Sequence, residues 1–165
     1  MNNAVPDARL TAAIWECNRH ADALTVAMLD WQPGDPPSVE ALGQDAAVRR
    51  LTDQILYRFT KLQDAMGERL VPTTLAWLQE PQESWPMRDK LDRLEKLGYL
   101  DVEAWLQWRD VRNRLAHEYP GTADLRHAAV LAAVAAVAAV AAARLMVQAF
   151  GLWHARLSLP LADPG

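Results

Sequence analysis

Residues 10–31 read LTAAIWECNRHADALTVAMLDW, and the fold turns on how their apolar positions are spaced. Leu10, Ile14, Cys17, Ala21, Leu24, Met28 and Trp31 follow one another at alternating steps of four and three. That interval returns a side chain to the same side of a helix, whereas a half-buried strand needs steps of two. The stretch therefore predicts an amphipathic helix whose single apolar stripe is suited to packing on another helix.

Outward from it the same period recurs. "QPGDPPS" (32–38) breaks the first helix, and Ser38 is positioned to cap the next, which carries Leu51, Ile55, Phe59, Leu62 and Met66 on its inner face. Gly67 is expected to stop it. A short helical piece near Leu70 to Gln79 follows, then the turn-rich "EPQESWP" (80–86) and "MRDKLDRLEKLG" (87–98), closed by Gly98. Asp101 is placed to cap a long helix through Trp105, Trp108, Val111 and Leu115, ending at Pro120-Gly121. No window alternates with period two. The expectation is an all-α fold, an antiparallel bundle of about five helices with short connections, forming one domain over 1–165.

The last helix contains sixteen consecutive residues, Ala128 to Ala143, of only Ala, Val and Leu. A membrane span needs about 20 strongly apolar residues, and this run is short, Ala-rich and flanked by Arg126, His127 and Arg144. No membrane association is expected. Val134, Val137 and Val140 drift by about 60° per step around an ideal helix, so the segment is apolar all round and wants neighbours on more than one side. A central place in the bundle satisfies that; a homodimer contact through the small side chains would satisfy it too.

Composition narrows the function. Cys17 is the only cysteine, which rules out an internal disulfide and suits a reducing compartment. "MNNAVPDARL" has no basic region followed by an apolar core, so a cytoplasmic location is expected. A net charge of -4 argues against a broad arginine-rich nucleic-acid binder and leaves room for a local basic site. Lys90, Arg93 and Lys96 interleave with Asp89, Asp92 and Glu95 as on a solvated helix, although the cations are placed to flank an RNA path. Trp15, Trp31, Trp77, Trp105 and Trp108 sit at helical spacings and read as core or interface, and Trp85 as the exposed aromatic. His20 and His154 have no recognisable partners. No cluster of ligands has metal-binding spacing, and no glycine-rich phosphate loop is present, so neither metal nor cofactor is expected.

The chemistry concentrates in "WRDVRNRLAHEYPG", Trp108 to Gly121. Arg112 offers a planar fork of donors to phosphate oxygens, and His117 can move a proton near neutral pH. Five residues separate them, about 140° around an ideal helix, whereas Asn113 and His117 share a face. Three arrangements unite the pair: the Arg side chain bends round, the helix ends near His117, or a second subunit brings another copy opposite. Together the two could cleave RNA without metal. A base withdraws the 2′-hydroxyl proton, Arg stabilises the charge building on the phosphorane, and an acid protonates the leaving 5′-oxygen. That scheme needs two proton-transfer groups, which a symmetric dimer would supply. The plainer reading is a helix terminus whose Arg, Asn and His satisfy the last carbonyls, with Glu118 pairing to Arg114.

"RNRLAHEY" (112–119) resembles the Arg, polar residue, three residues, His signature of the HEPN domain family, and the Tyr two places after the His resembles its HepT-like toxin branch. "YRFTKLQDAMG" (57–67) and "LDRLEKLGYLD" (91–101) are also similar to segments of that branch. The likeness covers roughly 46–119, and the flanks only in helical character. It implies a HEPN-like helical bundle, a homodimer with two Arg/His pairs in a composite cleft, and metal-independent endoribonuclease activity as a toxin. It further implies a nucleotidyltransferase antitoxin that adenylates the motif tyrosine. Carried over by position, Arg112 and His117 would be catalytic, Asn113 the supporting polar residue and Tyr119 the modified one. A non-catalytic role, presenting nucleotide or substrate to a nucleotidyltransferase, and a purely structural dimerisation role are the alternatives.

Overall fold

The computed structural model describes residues 8–31, 44–117 and 125–158, with side chains over 8–31, 44–114 and 138–157. Among the described residues the chain forms five helices and no strand. They are α1, Ala8–Asp30; α2, spanning 46–77; α3, Met87–Lys96; α4, Val102–His117; and α5, Leu125–Ser158. The expected all-α bundle is what the chain adopts. Ser38, expected as a cap, lies outside the described residues; Asp45 is the residue that caps α2, its Oδ1 accepting from Ala47 N at 2.9 Å and Val48 N at 3.4 Å. Asp101 caps α4 as read, accepting from Ala104 N at 2.9 Å. Gly98 closes α3 with φ of 81°, and the bonds Tyr99 N to Leu94 O and Gly98 N to Glu95 O, both 2.9 Å, satisfy carbonyls that would otherwise end α3 unpaired.

Gly67 departs from expectation. It does not stop α2: the helix passes from Ala46–Ala65 through a π-helical turn, Met66–Leu70, into Val71–Trp77. A local cause is visible. Pro72 has no N–H to give to a carbonyl one turn back, and the turn before it widens so that Val71 N bonds Met66 O, five residues behind. Gly67 itself is buried under the ring of Trp105, where an added Cβ would come to 3.2 Å from Cζ2. Glycine serves close approach here, not termination.

Contacts between helices fix their directions. Glu16 pairs with Arg69 and His20 with Arg58, so α1 and α2 run antiparallel. Trp105 lies over Gly67 and Arg112 beside Asp64, so α2 and α4 do too. One hydrophobic cluster draws on every helix, from Leu10 and Cys17 of α1 through Phe59 and Leu62 of α2 to Trp153 of α5. Trp153 is buried, donates Nε1 to Thr74 Oγ1 at 3.3 Å and lies 5.9 Å from the ring of Tyr99, over which Arg156 stands at 5.3 Å. Over 138–157, α5 buries Ala139, Val140, Ala143, Met146, Phe150 and Trp153 and leaves Leu145 and Leu152 exposed; the side chains of 128–137, most of the Ala/Val run, lie outside the described residues. Among the described residues no helix is long and apolar enough to cross a membrane.

Candidate functional site

Helix α4 is anchored by Trp105 and Trp108, both buried and meeting edge to face at 6.4 Å between centroids. Trp105, Arg109 and Arg112 recur at steps of four and three, so anchoring the first turns the two arginines toward α2. There they meet Gln63, Asp64, Gly67 and Glu68 across an open cleft of about 320 Å³. Trp105 and, from α3, Met87 complete its lining.

Arg112 is half-buried in the wall. Its NH2 donates to Asp64 Oδ1 at 3.1 Å and its NH1 to Asn113 Oδ1 at 3.3 Å. Asn113 therefore holds the guanidinium of its neighbour directly. Arg112 Nε and the amide nitrogen of Gln63 are buried donors with no acceptor among the described residues. An unpaired buried donor costs about 1–3 kcal/mol, and both of these belong to residues that line the cleft. Two carboxylates and two guanidinia line the cleft, so its net charge is close to zero. Selectivity for an anion then rests on the placement of donors rather than on bulk potential.

Of the four residues singled out, Arg112 and Asn113 are brought together. His117 ends α4, in the same helix as both, and its side chain lies outside the described residues. Tyr119 lies outside them altogether, as does Glu118. Arg114 pairs with Asp110 at 2.7 Å, four residues earlier on an exposed face; the pairing expected with Glu118 lies outside the described residues. Asp64 is the residue that sequence reasoning missed. It stands 48 positions from Arg112, and only the antiparallel packing of α2 on α4 joins them. The signal in the sequence was slight: an acidic residue off the apolar stripe of α2, three residues before a glycine.

Several other side chains are corrected by the structure. Trp31, Trp105 and Trp108 are core, but Trp15 is 63% exposed, with Arg19 stacked 5.6 Å from its ring. Trp85, expected to be exposed, is half-buried. On α3, Arg93 is tied to Glu80 at 2.6 Å and Arg88 to Asp92 at 3.1 Å. His154 stacks on Phe150, with centroids 6.0 Å apart. His20, read as partnerless, receives Arg58 NH1 on Nδ1 at 3.0 Å. Burial first, and the Arg58 cation second, hold its pKa below the ordinary imidazole value of 6.5. Burial pushes the Cys17 thiol up to about 12, a shift that neighbouring Glu16 reinforces, so it is packing rather than a nucleophile. Among the described residues no three His, Cys, Asp or Glu side chains are grouped to hold a metal ion.

Compared with models of known families, with curated proteins and with solved structures, the chain matches none. The reading of the site therefore stands on its residues and on the motif.

Proposed function

We propose that the protein is a HEPN-type endoribonuclease of the HepT-like toxin branch, cleaving RNA without metal in the cleft of a homodimer. The observation that carries this reading is Arg112, held between Asp64 and Asn113 at the wall of an open cleft, with Nε unpaired among the described residues, five residues before His117. Asp64 and Asn113 fix the plane of the guanidinium, so its donors need no reordering as charge builds on the phosphorane. His117 of one protomer takes the 2′-hydroxyl proton. His117 of the second protomer protonates the leaving 5′-oxygen, leaving a 2′,3′-cyclic phosphate on the upstream fragment. Asn113 is a positioning residue through its bond to Arg112.

Tyr119, two residues beyond His117, is the handle for control in this scheme. Adenylation by a cognate nucleotidyltransferase antitoxin would set a phosphate and a base beside Arg112 and block RNA by charge-assisted hydrogen bonds. Intact mass after co-expression with such a partner should rise by whole AMP units, and Tyr119→Phe should stay active and escape silencing.

The test of the activity itself is incubation of the purified chain with RNA in excess EDTA, with product ends mapped. Cleavage leaving cyclic or 3′-phosphate ends is expected, from a particle twice the 18.4 kDa chain mass by light scattering. Cleavage abolished by EDTA, or a monomer that cleaves at full rate, would contradict the mechanism.

A further inference from the structure

The cleft around Arg112 is charge-balanced, so a polyanion must be drawn to it by another part of the surface. The outer faces of α1 and α2 provide one. On α2, Tyr57 is 55% exposed, and two cations lie against its ring, Arg58 at 5.5 Å and Lys61 at 5.7 Å from the centroid. Arg58 reaches across to His20 of α1 at 3.0 Å. Beside His20, Arg19 covers the exposed Trp15. Glu16 of α1 is engaged by Arg69 at 2.6 Å, and the exposed carboxylates of Asp22 and Asp53 stand three residues beyond Arg19 and four before Tyr57. In a chain of net charge -4, three permanent cations and two exposed rings thus lie on two neighbouring helices joined by the Arg58–His20 contact.

We propose that this face, from Trp15 and Arg19 across His20 and Arg58 to Tyr57 and Lys61, docks single-stranded RNA and delivers it to the Arg112 cleft. The delivery half of the statement rests on the ribonuclease reading; the docking half does not. Cations for phosphates alternating with aromatic faces for bases is what an unpaired strand needs, and a duplex, whose bases are already stacked, cannot use the rings. A protein partner would be expected to cover apolar side chains without requiring three cations placed against two rings. The surface also leads to the site. Tyr57, Lys61, Asp64 and Glu68 fall at steps of four, three and four on the side of α2 away from Phe59. Lys61 is three residues from Asp64, about 4.5 Å of helix rise from the wall that holds Arg112.

The test is fluorescence anisotropy of a labelled oligouridylate on the full chain carrying His117→Ala, which keeps the RNA intact. Adding Tyr57→Ala with Lys61→Ala should weaken binding about tenfold or more and lower the log-log salt slope by about 0.7 for the lost cation. Trp15→Ala should weaken it several-fold, and Arg88→Ala, on the exposed face of α3, should not. Unchanged affinity in the Tyr57/Lys61 variant, with melting matched to the parent, overturns the proposal. So does equal affinity for duplex RNA that Tyr57→Ala leaves intact, or binding of an acidic peptide alone. A wild-type chain that never cleaves RNA yet binds it through these residues removes the ribonuclease reading and leaves the docking face in place.

Discussion

The two sides of helix α2 carry different kinds of information. The inner side, Ile55, Phe59, Leu62 and Met66, is at most 1% exposed and joins the common core. The outer side, Tyr57, Lys61, Asp64 and Glu68, carries polar contacts: one ring under two cations, a carboxylate on Arg112, and one wall of the cleft. Inner positions contribute free energy through area removed from water, which depends on size and spacing. Outer positions contribute little to folding, because partly exposed ion pairs are worth at most about 1 kcal/mol. What selects them is what they hold in place.

Substitutions on opposite sides of α2 should therefore differ sharply. Phe59→Ala should cost about 3–5 kcal/mol in denaturant unfolding, while Tyr57→Ala, two residues away, should stay within about 0.5 kcal/mol. Similar losses at the two positions would erase the distinction. Gly67 sits between the sides, and Gly67→Val should cost about 1–3 kcal/mol by overpacking, because an added Cβ already comes to 3.2 Å from the buried ring of Trp105. The same substitution should shift the cleft and depress RNA cleavage, whereas cleavage at wild-type rate would show that Trp105 does not shape the site.

Asp64→Asn sharpens the contrast from the outer side. The ion pair with Arg112 is about a third exposed on each partner, so its loss should change stability by less than about 1 kcal/mol. Cleavage should fall several-fold, since the guanidinium loses the group that orients it, and Asp64→Ala should fall further than Asp64→Asn. The smallest effect is expected at His20. Its folded pKa lies below 6.5, so the unfolded chain takes up the proton first as pH drops. The stability it contributes is complete above 6.5 and declines as pH falls from there through the folded value. The difference in unfolding free energy between wild type and His20→Gln should accordingly shrink on acidification below that point; a difference flat in pH would contradict the burial and Arg58 contact that hold His20 neutral.

Much of the inner side was legible in the sequence, because a period of 3.6 written in Leu, Ile, Phe and Met survives any arrangement of neighbours. Cys17, Leu24, Ile55 and Phe59 were all placed by spacing alone. Local capping was legible as well, at Asp101 and Gly98, since it depends on residues within one turn. Gly67 was misread because glycine signals both a stop and a close approach, and the difference lies in Trp105, far along the chain. Asp64 and the His20–Arg58 contact were invisible for the same reason: each is a pairing between helices, fixed by packing direction rather than by local pattern. The motif at Arg112 and Asn113 was visible as a sequence of residue types, but its wall was not.

The central claim is that Arg112 and His117 perform chemistry and do not merely finish a helix. The direct measurement is the single-turnover rate of RNA cleavage in EDTA for wild type, Arg112→Ala, Arg112→Lys and His117→Ala, each matched for helix content and melting. Loss of about 10² to 10⁴ in rate is expected for either alanine variant, with Arg112→Lys failing to restore it because a point charge cannot reproduce the fork. Full cleavage by a folded His117→Ala chain would contradict the claim.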